Sequence, residues 1–494
     1  MRRADPVARS GRLAASRIHS LIPAAILTAS LIGPTATEAR ASVESGQPEA
    51  TEVAVTLRVQ GELFAEAATN QPPVSQPIEL EAEFQFTERQ PTGVAAAAVR
   101  TYHAATAAFT TDGATNRTTL ASDAREVLVA LRGTTPMPHL ADGFLAREEA
   151  ELLDVPFESV LIDGMRPAEP VSASAAWTVA ADLTAGLLAI DTVESGSLEA
   201  RLVEVVDGMA EVSLAGTVSG AVDGAPTRLE VSGGYRCPAA ADDAGAWRLE
   251  GRIETLDVEI VERREAGWVA PGLDVTAHLR LVRTAPDREP NAERGVSPGS
   301  SERGDRLLPA ASDRPRGFGR PGTVWERHRQ GRYTLVLDDR WRVVEDGSEG
   351  LVMRLVDRGA LVAQCSILPL PRTAADAAPS AETVRGDVER SLGDQFGRIT
   401  AAEESTRDDG TRVVRVIAEG TADDRPFRWV HQVLTDPAGY RAAVTCMHEP
   451  AMADRFAIAD REIAAGLVLL PDRPAERPRK ADNSPDSPQA SRSR

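Results

Sequence analysis

The chain has 494 residues, 42% of them apolar, and carries a formal net charge of −19. That length exceeds one ordinary domain and suits two domains with connecting segments. Because phosphate backbones and anionic headgroups repel so acidic a chain, we expect neither nucleic acid nor an anionic membrane surface as a partner.

The first 41 residues have the pattern of an export signal. Basic residues extend from Arg2 to Arg17, an apolar run follows over 21–33, and Ala39-Arg40-Ala41 fits a small-x-small cleavage site. The run is shorter than the roughly 20 residues that span a bilayer, which favours a cleaved signal peptide over an uncleaved membrane anchor. We therefore expect a mature protein in the periplasm or outside the cell, with no transmembrane segment after signal removal.

Residues 51–284 are predicted to form a β-rich first domain. Apolar and polar residues alternate over 53–59 and over 78–86, which is the period of half-buried strands. The segment 94–108 is rich in Ala and predicts a helix. The segment 126–131 fits either a helix or a strand.

The later part of this domain has the clearest β pattern. Two short helices are expected, over 148–153 and 181–190, and strand patterns then follow one another from 194 to 284. Asp207-Gly208 and Asp223-Gly224 separate alternating runs, which is a strong hairpin signal. Consecutive strands without intervening helices predict an antiparallel sheet that curls over a core, with the second helix covering it.

Residues 285–322 are predicted to be a disordered linker, because Pro, Arg, Glu, Ser and Gly crowd together there. The tail 472–494 has the same composition and the same prediction. The linker contains Arg303-Gly304-Asp305, a tripeptide that we attribute to chance and not to adhesion. Two units joined in this way would engage separate sites, and the linker would raise the effective concentration at the second.

Residues 323–471 combine strand and helix patterns. Ser380 is a good N-cap for a helix whose apolar residues lie four apart. Two late strands over 427–434 and 440–447 are joined by a turn, and a closing helix is expected over 453–465.

This order of elements resembles that of PsbP-like domains. The segment 333–343 is similar to their opening, a strand led by an aromatic residue and then Trp341. The segments 429–434 and 440–446 look like their late hairpin, and 456–469 looks like their terminal helix and closing segment. The resemblance implies an α-β-α sandwich with a central antiparallel sheet. Members are binding or assembly accessories and exported proteins of unknown role, and fold alone is a poor guide to function.

The fold class expected for the whole chain is therefore α+β. It would combine an N-terminal β-rich domain, with a curled antiparallel sheet and a few helices, and a C-terminal PsbP-like α-β-α sandwich. The architecture of the first domain loosely resembles exported carriers of the lipoprotein-localisation type, which hold acyl chains in a half-barrel. No motif in the sequence supports that second resemblance.

No catalytic, cofactor-binding or metal-binding residues are predicted. The segment 216–220 lacks the spacing of a nucleophile elbow, and His448-Glu449 lacks the second His of a zincin motif. His431 is expected to be a hydrogen-bonded residue on a sheet face. Asp242-Asp243 reads as a solvated loop in preference to a weak calcium site.

The cysteines Cys237, Cys365 and Cys446 do not have metal-ligand spacing. Cys365 and Cys446 both lie on apolar faces of predicted strands, so both thiols should be buried. Two alternatives remain open. The pair forms a disulfide across neighbouring strands, or each residue acts as a small hydrophobe.

These patterns predict an exported, non-catalytic pair of binding or accessory modules in the bacterial periplasm or cell envelope. Its partner would be an unidentified protein or a hydrophobic ligand, without any cofactor. The alternative is a carrier of a hydrophobic small molecule or lipid inside the first domain. An enzyme is the third choice, because its site would have to use only Asp, Glu, Arg and Tyr.

Overall fold

The computed structural model describes residues 50–65, 74–91, 97–267, 269–285, 314–347, 350–374 and 378–471. The expected signal peptide, the linker segment 286–313 with Arg303-Gly304-Asp305, and the expected disordered tail lie outside the described residues. Within the described ranges, no helix is long and apolar enough to cross a membrane.

The first unit is one antiparallel sheet of 13 strands with three short helices. The strands are β1 (Thr51–Ala65), β2 (Val74–Arg89), β3 (Ala98–Thr111), β4 (Ala114–Thr119), β5 (Glu126–Arg132), β6 (Thr135–His139), β7 (Ala176–Thr178), β8 (Thr192–Val206), β9 (Met209–Val222), β10 (Ala225–Ala241), β11 (Trp247–Leu249), β12 (Thr255–Arg264) and β13 (Gly272–Thr284). The helices are α1 (Arg147–Leu153), α2 (Ser159–Ile162) and α3 (Ala181–Leu188).

The strand order is β6-β5-β3-β2-β1-β13-β12-β10-β9-β8-β7, with β4 paired to β3 and β11 paired to β10. The first strand lies at the centre, because it pairs with β2 on one side and with β13 on the other. The predicted hairpin turns are present. Asp207-Gly208 and Asp223-Gly224 connect β8 to β9 and β9 to β10, with positive φ at all four residues, as two-residue hairpin loops require.

One face of this sheet is buried against the three helices. Side chains along β2 alternate between buried and exposed, so its apolar residues all point to the same face. Helical and sheet residues share one hydrophobic cluster, which includes Val55, Phe84, Leu198 and Leu281 from strands and Leu153, Phe157, Ile162 and Leu187 from the helical region. The helices therefore fill the space beneath the sheet.

The helix predicted over 94–108 is wrong. The described part of that segment belongs to β3, which pairs with β2 so that Ala105 lies opposite Phe84. Cross-strand pairing and burial outweigh the weak intrinsic preference of Ala for helices. The ambiguous segment 126–131 is a strand, β5, and the two short helices predicted further on are present as α1 and α3.

The second unit contains two antiparallel sheets. Its strands are β14 (Thr323–Arg327), β15 (Tyr333–Asp338), β16 (Trp341–Asp346), β17 (Leu351–Asp357), β18 (Ala360–Leu370), β19 (Phe396–Thr406), β20 (Arg412–Ala422), β21 (Arg425–Thr435), β22 (Arg441–His448) and β23 (Leu467–Leu469). Its helices are α4 (Ala381–Leu392), α5 (Ala453–Phe456) and α6 (Ala459–Gly466). The sheet orders are β14-β15-β23 and β16-β17-β18-β22-β21-β20-β19.

Helix α4 begins where the sequence predicts. The Ser380 side chain accepts a hydrogen bond from the backbone N–H of Thr383, which caps the helix. The closing helix expected over 453–465 is interrupted. Ala457 adopts a left-handed backbone with φ of 46°, which separates α5 from α6.

The predicted α+β class, with an α-β-α sandwich as its second half, is wrong. The chain forms a large β-rich structure of several sheets, and 59% of the residues that the structure describes lie in strands and 14% in helices. The physical reason lies in what covers each sheet. Leu335 and Leu337 of the three-stranded sheet share a core with Met353 and Val444 of the seven-stranded sheet, so strands bury much of the surface that the prediction assigned to helices.

Buried ion pairs join the two units. The Arg342 guanidinium lies 3.0 Å from the Asp223 carboxylate, and these side chains are 9% and 1% exposed. Arg147 of α1 pairs with Glu326 of β14 at 2.8 Å. Residues 314–322 were expected to belong to a flexible linker, yet Arg314 pairs with Glu149 at 2.7 Å and so holds this segment against the first unit.

Candidate functional site

The carrier alternative requires a large cavity beneath the sheet of the first unit. The cavity there measures about 10 Å³ and is lined mainly by large side chains, among them Phe84, Phe86, Tyr102, Leu153 and Phe157. A volume of that size accommodates about one water molecule. The cavity is too small for an acyl chain, so it gives the carrier alternative no support.

A buried ionic cluster lies at the wall of this cavity. Arg100 donates hydrogen bonds to Glu88 at 3.0 Å, to Glu158 at 2.9 Å and to the Ser159 hydroxyl at 2.8 Å. Burial opposes the charged form of Arg100, but Glu158, Tyr102 and Glu88 hold its pKa well above the usual range. The cluster fastens the start of α2 to strands β2 and β3, and its enclosure leaves no access for a substrate.

A second and much larger cavity, which we call the arginine cleft, lies in the second unit. It has a volume of about 360 Å³ and lies between strands β19, β20 and β21 and helix α6. Nine residues line it: Glu403, Ser405, Arg407, Val413, Arg415, Gln432, Arg461, Ala464 and Ala465. Its volume falls within the range of small-molecule sites.

Strand alternation selects the side chains that face the cleft. On β20, Val414 and Val416 are buried in a cluster with Val384 and Val388 of α4. Their neighbours Val413 and Arg415 therefore point to the other face of the sheet, where α6 lies. Since β19 is the edge strand of the seven-stranded sheet, the cleft is located at the margin of that sheet.

A buried network fixes the position of Arg415. Gln432 donates from Nε2 to the backbone oxygen of Asp460 at 2.8 Å and to its Oδ2 at 3.1 Å. Arg415 donates from Nε to the same Oδ2 at 2.6 Å. Because Asp460 and Gln432 are each only 1% exposed, this anchor is shielded from water, and the two Nη atoms of Arg415 are not needed to hold it.

Arg407 is held at the other end of α6. Its Nη1 donates to the backbone oxygens of Ala464 at 2.9 Å and Leu467 at 2.7 Å. Its Nη2 lies 3.0 Å from the Asp409 carboxylate. A cation that bonds the last carbonyl groups of a helix also complements the helix dipole, and these contacts hold the Arg407 side chain beside the cleft.

Glu403 is the acidic residue of the lining set. Its Oε2 lies 3.7 Å from Arg415 Nη1 and 3.8 Å from Arg461 Nη2, so it stands between two guanidinium groups. Both distances exceed hydrogen-bond length. Glu403 and Arg461 are 53% and 61% exposed, which leaves this part of the cleft open to solvent.

The two cysteines of the predicted disulfide are brought together. Cys365 on β18 lies directly opposite Cys446 on β22, and both are fully buried. A hydrogen bond with Cys365 and burial raise the pKa of Cys446 well above its usual range. All three thiols of the chain are unbridged in the structure, and the disulfide between this pair stays a prediction.

The other residues singled out by the sequence are not brought into one site. The His431 Nδ1 lies 3.1 Å from the Thr445 hydroxyl, and burial lowers the pKa of His431 to about 4. The Asp242 carboxylate accepts hydrogen bonds from two backbone N–H groups of its own loop, those of Ala244 and Ala246. His448 stacks on Phe456 at 4.5 Å between ring centroids. In the part of the chain that the structure describes, no group of three or more His, Cys, Asp or Glu could hold a metal ion.

The residues of the arginine cleft were missed by sequence reasoning. Arg415 and Gln432 stand at inward positions of otherwise apolar strand patterns, where a polar residue needs a partner. That signal was available in the sequence. The partner was not, because Asp460 lies 45 residues from Arg415 along the chain.

Comparison with known proteins gives weak and partial similarities. No known protein family model matches the chain, and no curated protein matches it. The solution structure of cyanobacterial PsbP from Synechocystis sp. PCC 6803 matches with a TM-score of 0.25 and 15% identity, over 30% of this chain and 93% of that one. The protein of unknown function PA94 from Pseudomonas aeruginosa matches with a TM-score of 0.22 and 16% identity, over 30% of this chain and 98% of that one.

A third match concerns a larger share of the chain. A lipovitellin structure covers 49% of this chain and 26% of its own chain, with a TM-score of 0.25 and 9% identity. A PsbP-like similarity is therefore present but weak, and none of these matches indicates a function.

Proposed function

We propose that this chain is an exported, non-catalytic binding or accessory protein of the bacterial periplasm or cell envelope. Its PsbP-like second unit binds a ligand in the arginine cleft, and its first unit acts as a scaffold onto which the second is docked. Export is supported by the basic and apolar pattern of residues 1–41. The cleft of about 360 Å³, with its buried anchor beneath Arg415, is the observation that carries the proposal.

The chemistry of the lining favours binding over catalysis. Three of the nine lining residues are Arg, whose guanidinium groups stay protonated at all physiological pH values. Such groups position and neutralise an anion, but they do not exchange protons near neutrality. The lining set contains no His, Cys, Lys or Tyr, and the members that could act as a nucleophile or a general base are Ser405 and Glu403. Glu403 is engaged with Arg415 and Arg461 at 3.7 and 3.8 Å.

Blocking the cleft tests this proposal. Ala465 is an exposed residue of α6 that lines the cleft, so Ala465→Trp should fill the site with little effect on folding. Glu462→Trp places the same bulk on an exposed position of the same helix outside the lining set and serves as the control. Circular dichroism should show that both variants unfold at the temperature of the unaltered protein.

The readout is native mass spectrometry of each form, isolated from its own compartment, alongside a solvent extract. We expect a bound molecule or a defined partner on the unaltered protein and on Glu462→Trp, and its loss from Ala465→Trp. Retention of the same molecule by Ala465→Trp would place the site elsewhere. An apolar molecule retained by all three forms would favour the carrier alternative.

A further inference from the structure

The arginine cleft concentrates guanidinium groups in an acidic protein. The chain as a whole has a formal charge of −19, yet three Arg and one Glu line this cavity. Asp460 pairs with Arg415 and Asp409 pairs with Arg407, so with Glu403 the formal charges at the cleft balance. Arg415 Nη1 and Arg461 Nη2 lie 3.7 and 3.8 Å from Glu403, beyond hydrogen-bond length, so these N–H groups are able to donate to a bound anion.

We infer that the cleft binds a carboxylate group, carried by a small organic acid or by the C-terminus of a polypeptide. The inference rests on the proposed function and adds the chemical class of the ligand. The carboxylate would lie between the guanidinium groups of Arg415 and Arg461, with Arg407 beside it.

The position of Glu403 indicates which chemical group of a ligand the cleft would bind. A carboxylate of the protein already lies between Arg415 and Arg461, at 3.7 and 3.8 Å. Those distances give charge attraction without hydrogen bonds of normal length. A free carboxylate is not covalently attached to β19. It can approach to about 2.8 Å and form the paired N–H···O bonds that guanidinium groups prefer.

The anchor beneath Arg415 makes this arrangement favourable. Nε of Arg415 is occupied by Asp460, which Gln432 holds in turn, and all three are largely buried. The Arg415 side chain is therefore held in place before a ligand arrives, and ligand binding costs little additional side-chain conformational entropy. A hydrogen bond between charged groups is also stronger where water is partly excluded.

The remaining surface of the cleft limits the size and polarity of the rest of the ligand. Val413, Ala464 and Ala465 provide apolar contacts beside the three arginines. The cavity of about 360 Å³ accommodates a carboxylate with a small apolar body and excludes a long chain from full enclosure. An aromatic acid fits these limits, and so does a peptide that ends in a small apolar residue.

The test uses the mature full-length chain and isothermal titration calorimetry. The probes are benzoate, its neutral counterpart benzamide, inorganic phosphate, and the tripeptide Ala-Ala-Val with a free or an amidated C-terminus. We expect benzoate or the free-acid peptide to bind, and benzamide and the amidated peptide not to bind. Tighter binding of the peptide would identify a polypeptide C-terminus as the source, and tighter binding of benzoate would identify a small acid.

Two substitutions act in opposite directions. Arg461→Gln removes an exposed guanidinium and should weaken binding about tenfold, the effect of one charge-assisted hydrogen bond. Glu403→Gln removes the competing carboxylate and should strengthen binding several-fold by the same reasoning. Arg390→Gln serves as the control, because Arg390 pairs with Asp387 on α4 and does not line the cleft.

Specific results would overturn the inference. These are equal binding of benzoate and benzamide, tighter binding of phosphate than of either carboxylate, or no weakening by Arg461→Gln. If Ala465→Trp still displaced the native ligand in those cases, the proposed function would stand and only the ligand class would be wrong. If Ala465→Trp displaced nothing and no carboxylate bound, both would fail.

Discussion

The charged side chains of this protein differ widely in how much they contribute to its folding stability. Arg100 is 2% exposed and is held by two carboxylates, whereas Arg58 pairs with Glu81 at 3.6 Å with 73% and 59% of their side chains exposed. An exposed pair is solvated in both the folded and the unfolded state and contributes little. A buried cluster depends on every member, since removal of one leaves the others unpaired.

Replacement of Arg100 by Met should therefore destabilise the protein strongly. The variant leaves Glu88 and Glu158 buried without their cation, at an expected cost of about 3–5 kcal/mol in the free energy of unfolding. Urea unfolding followed by circular dichroism measures the change. Arg58→Met is the control and should shift the free energy by less than about 1 kcal/mol. A shift of similar size in both variants would contradict this account.

The pair Cys365 and Cys446 provides a second prediction at this scale. The residues lie opposite each other on neighbouring strands, which suits a cross-strand bridge. If the exported protein forms this disulfide, titration under denaturing, non-reducing conditions should detect one free thiol, that of Cys237. Reduction should then release two more. Detection of three thiols before reduction would show that the pair is unbridged.

At the scale of elements, pairing between strands determined the secondary structure more than local propensity did. Ala-rich residues in β3 favour a helix in isolation, but β2 provides a partner along the whole strand. Asp-Gly turns, strict alternation and the Ser380 cap predicted hairpins, strands and helix α4 correctly, because each of these signals acts between residues close in sequence. Pairing between distant strands leaves no comparable local signal.

Gly196 in β8 lies where the backbones of β8 and β9 approach each other closely. It has φ of +88°, and a Cβ atom there would lie 2.0 Å from the backbone oxygen of Thr217 on β9. We expect Gly196→Ala to destabilise the protein by about 2–4 kcal/mol, through backbone strain and displacement of the neighbouring strand. Thermal and urea unfolding would measure this loss.

Gly113 supplies a matched control for that substitution. Its φ of +73° is similar, but no atom lies within 4 Å of the added Cβ position. Gly113→Ala therefore isolates the conformational cost, which we expect to be about 1 kcal/mol. Equal losses in the two variants would mean that the contact with Thr217 contributes nothing.

At the scale of the whole molecule, the junction between the units is rich in carboxylates. Burial and the neighbouring Asp223 raise the pKa of Asp191 to about 7, although Arg342 partly offsets the effect. Burial likewise raises the pKa of Asp154 well above its usual range. At pH values between 3.8 and about 7, Asp191 is neutral in the docked structure and ionised in the unfolded chain.

The contribution of Asp191 to the stability of the protein should therefore fall as pH rises from about 4 to 8. The folded pKa of Asp191 lies above its unfolded value, so the folded state binds the proton more tightly and loses that advantage as pH passes through about 7. Asp191→Asn should be close in stability to the unaltered protein at pH 4 and more stable than it at pH 8, by up to about 4 kcal/mol. Urea unfolding at both values checks this, and a difference that does not depend on pH would refute it.

Some features of this protein are determined by the sequence alone. The acidic charge, the export pattern, the periodicity of β1 and β2, the two Asp-Gly turns and helices α1, α3 and α4 are encoded by neighbouring residues and could be predicted from them. The helix predicted over 94–108 was wrong, and α2 was not predicted. Only the tertiary structure decided that two sheets share the core of the second unit, that ion pairs dock the two units, and that Arg407, Arg415 and Arg461 line one cleft. The physical reason is that each of these depends on side chains far apart in the chain. The energies of these interactions depend on how deeply the side chains are buried and on the geometry of their partners. Both are established only when the chain has folded.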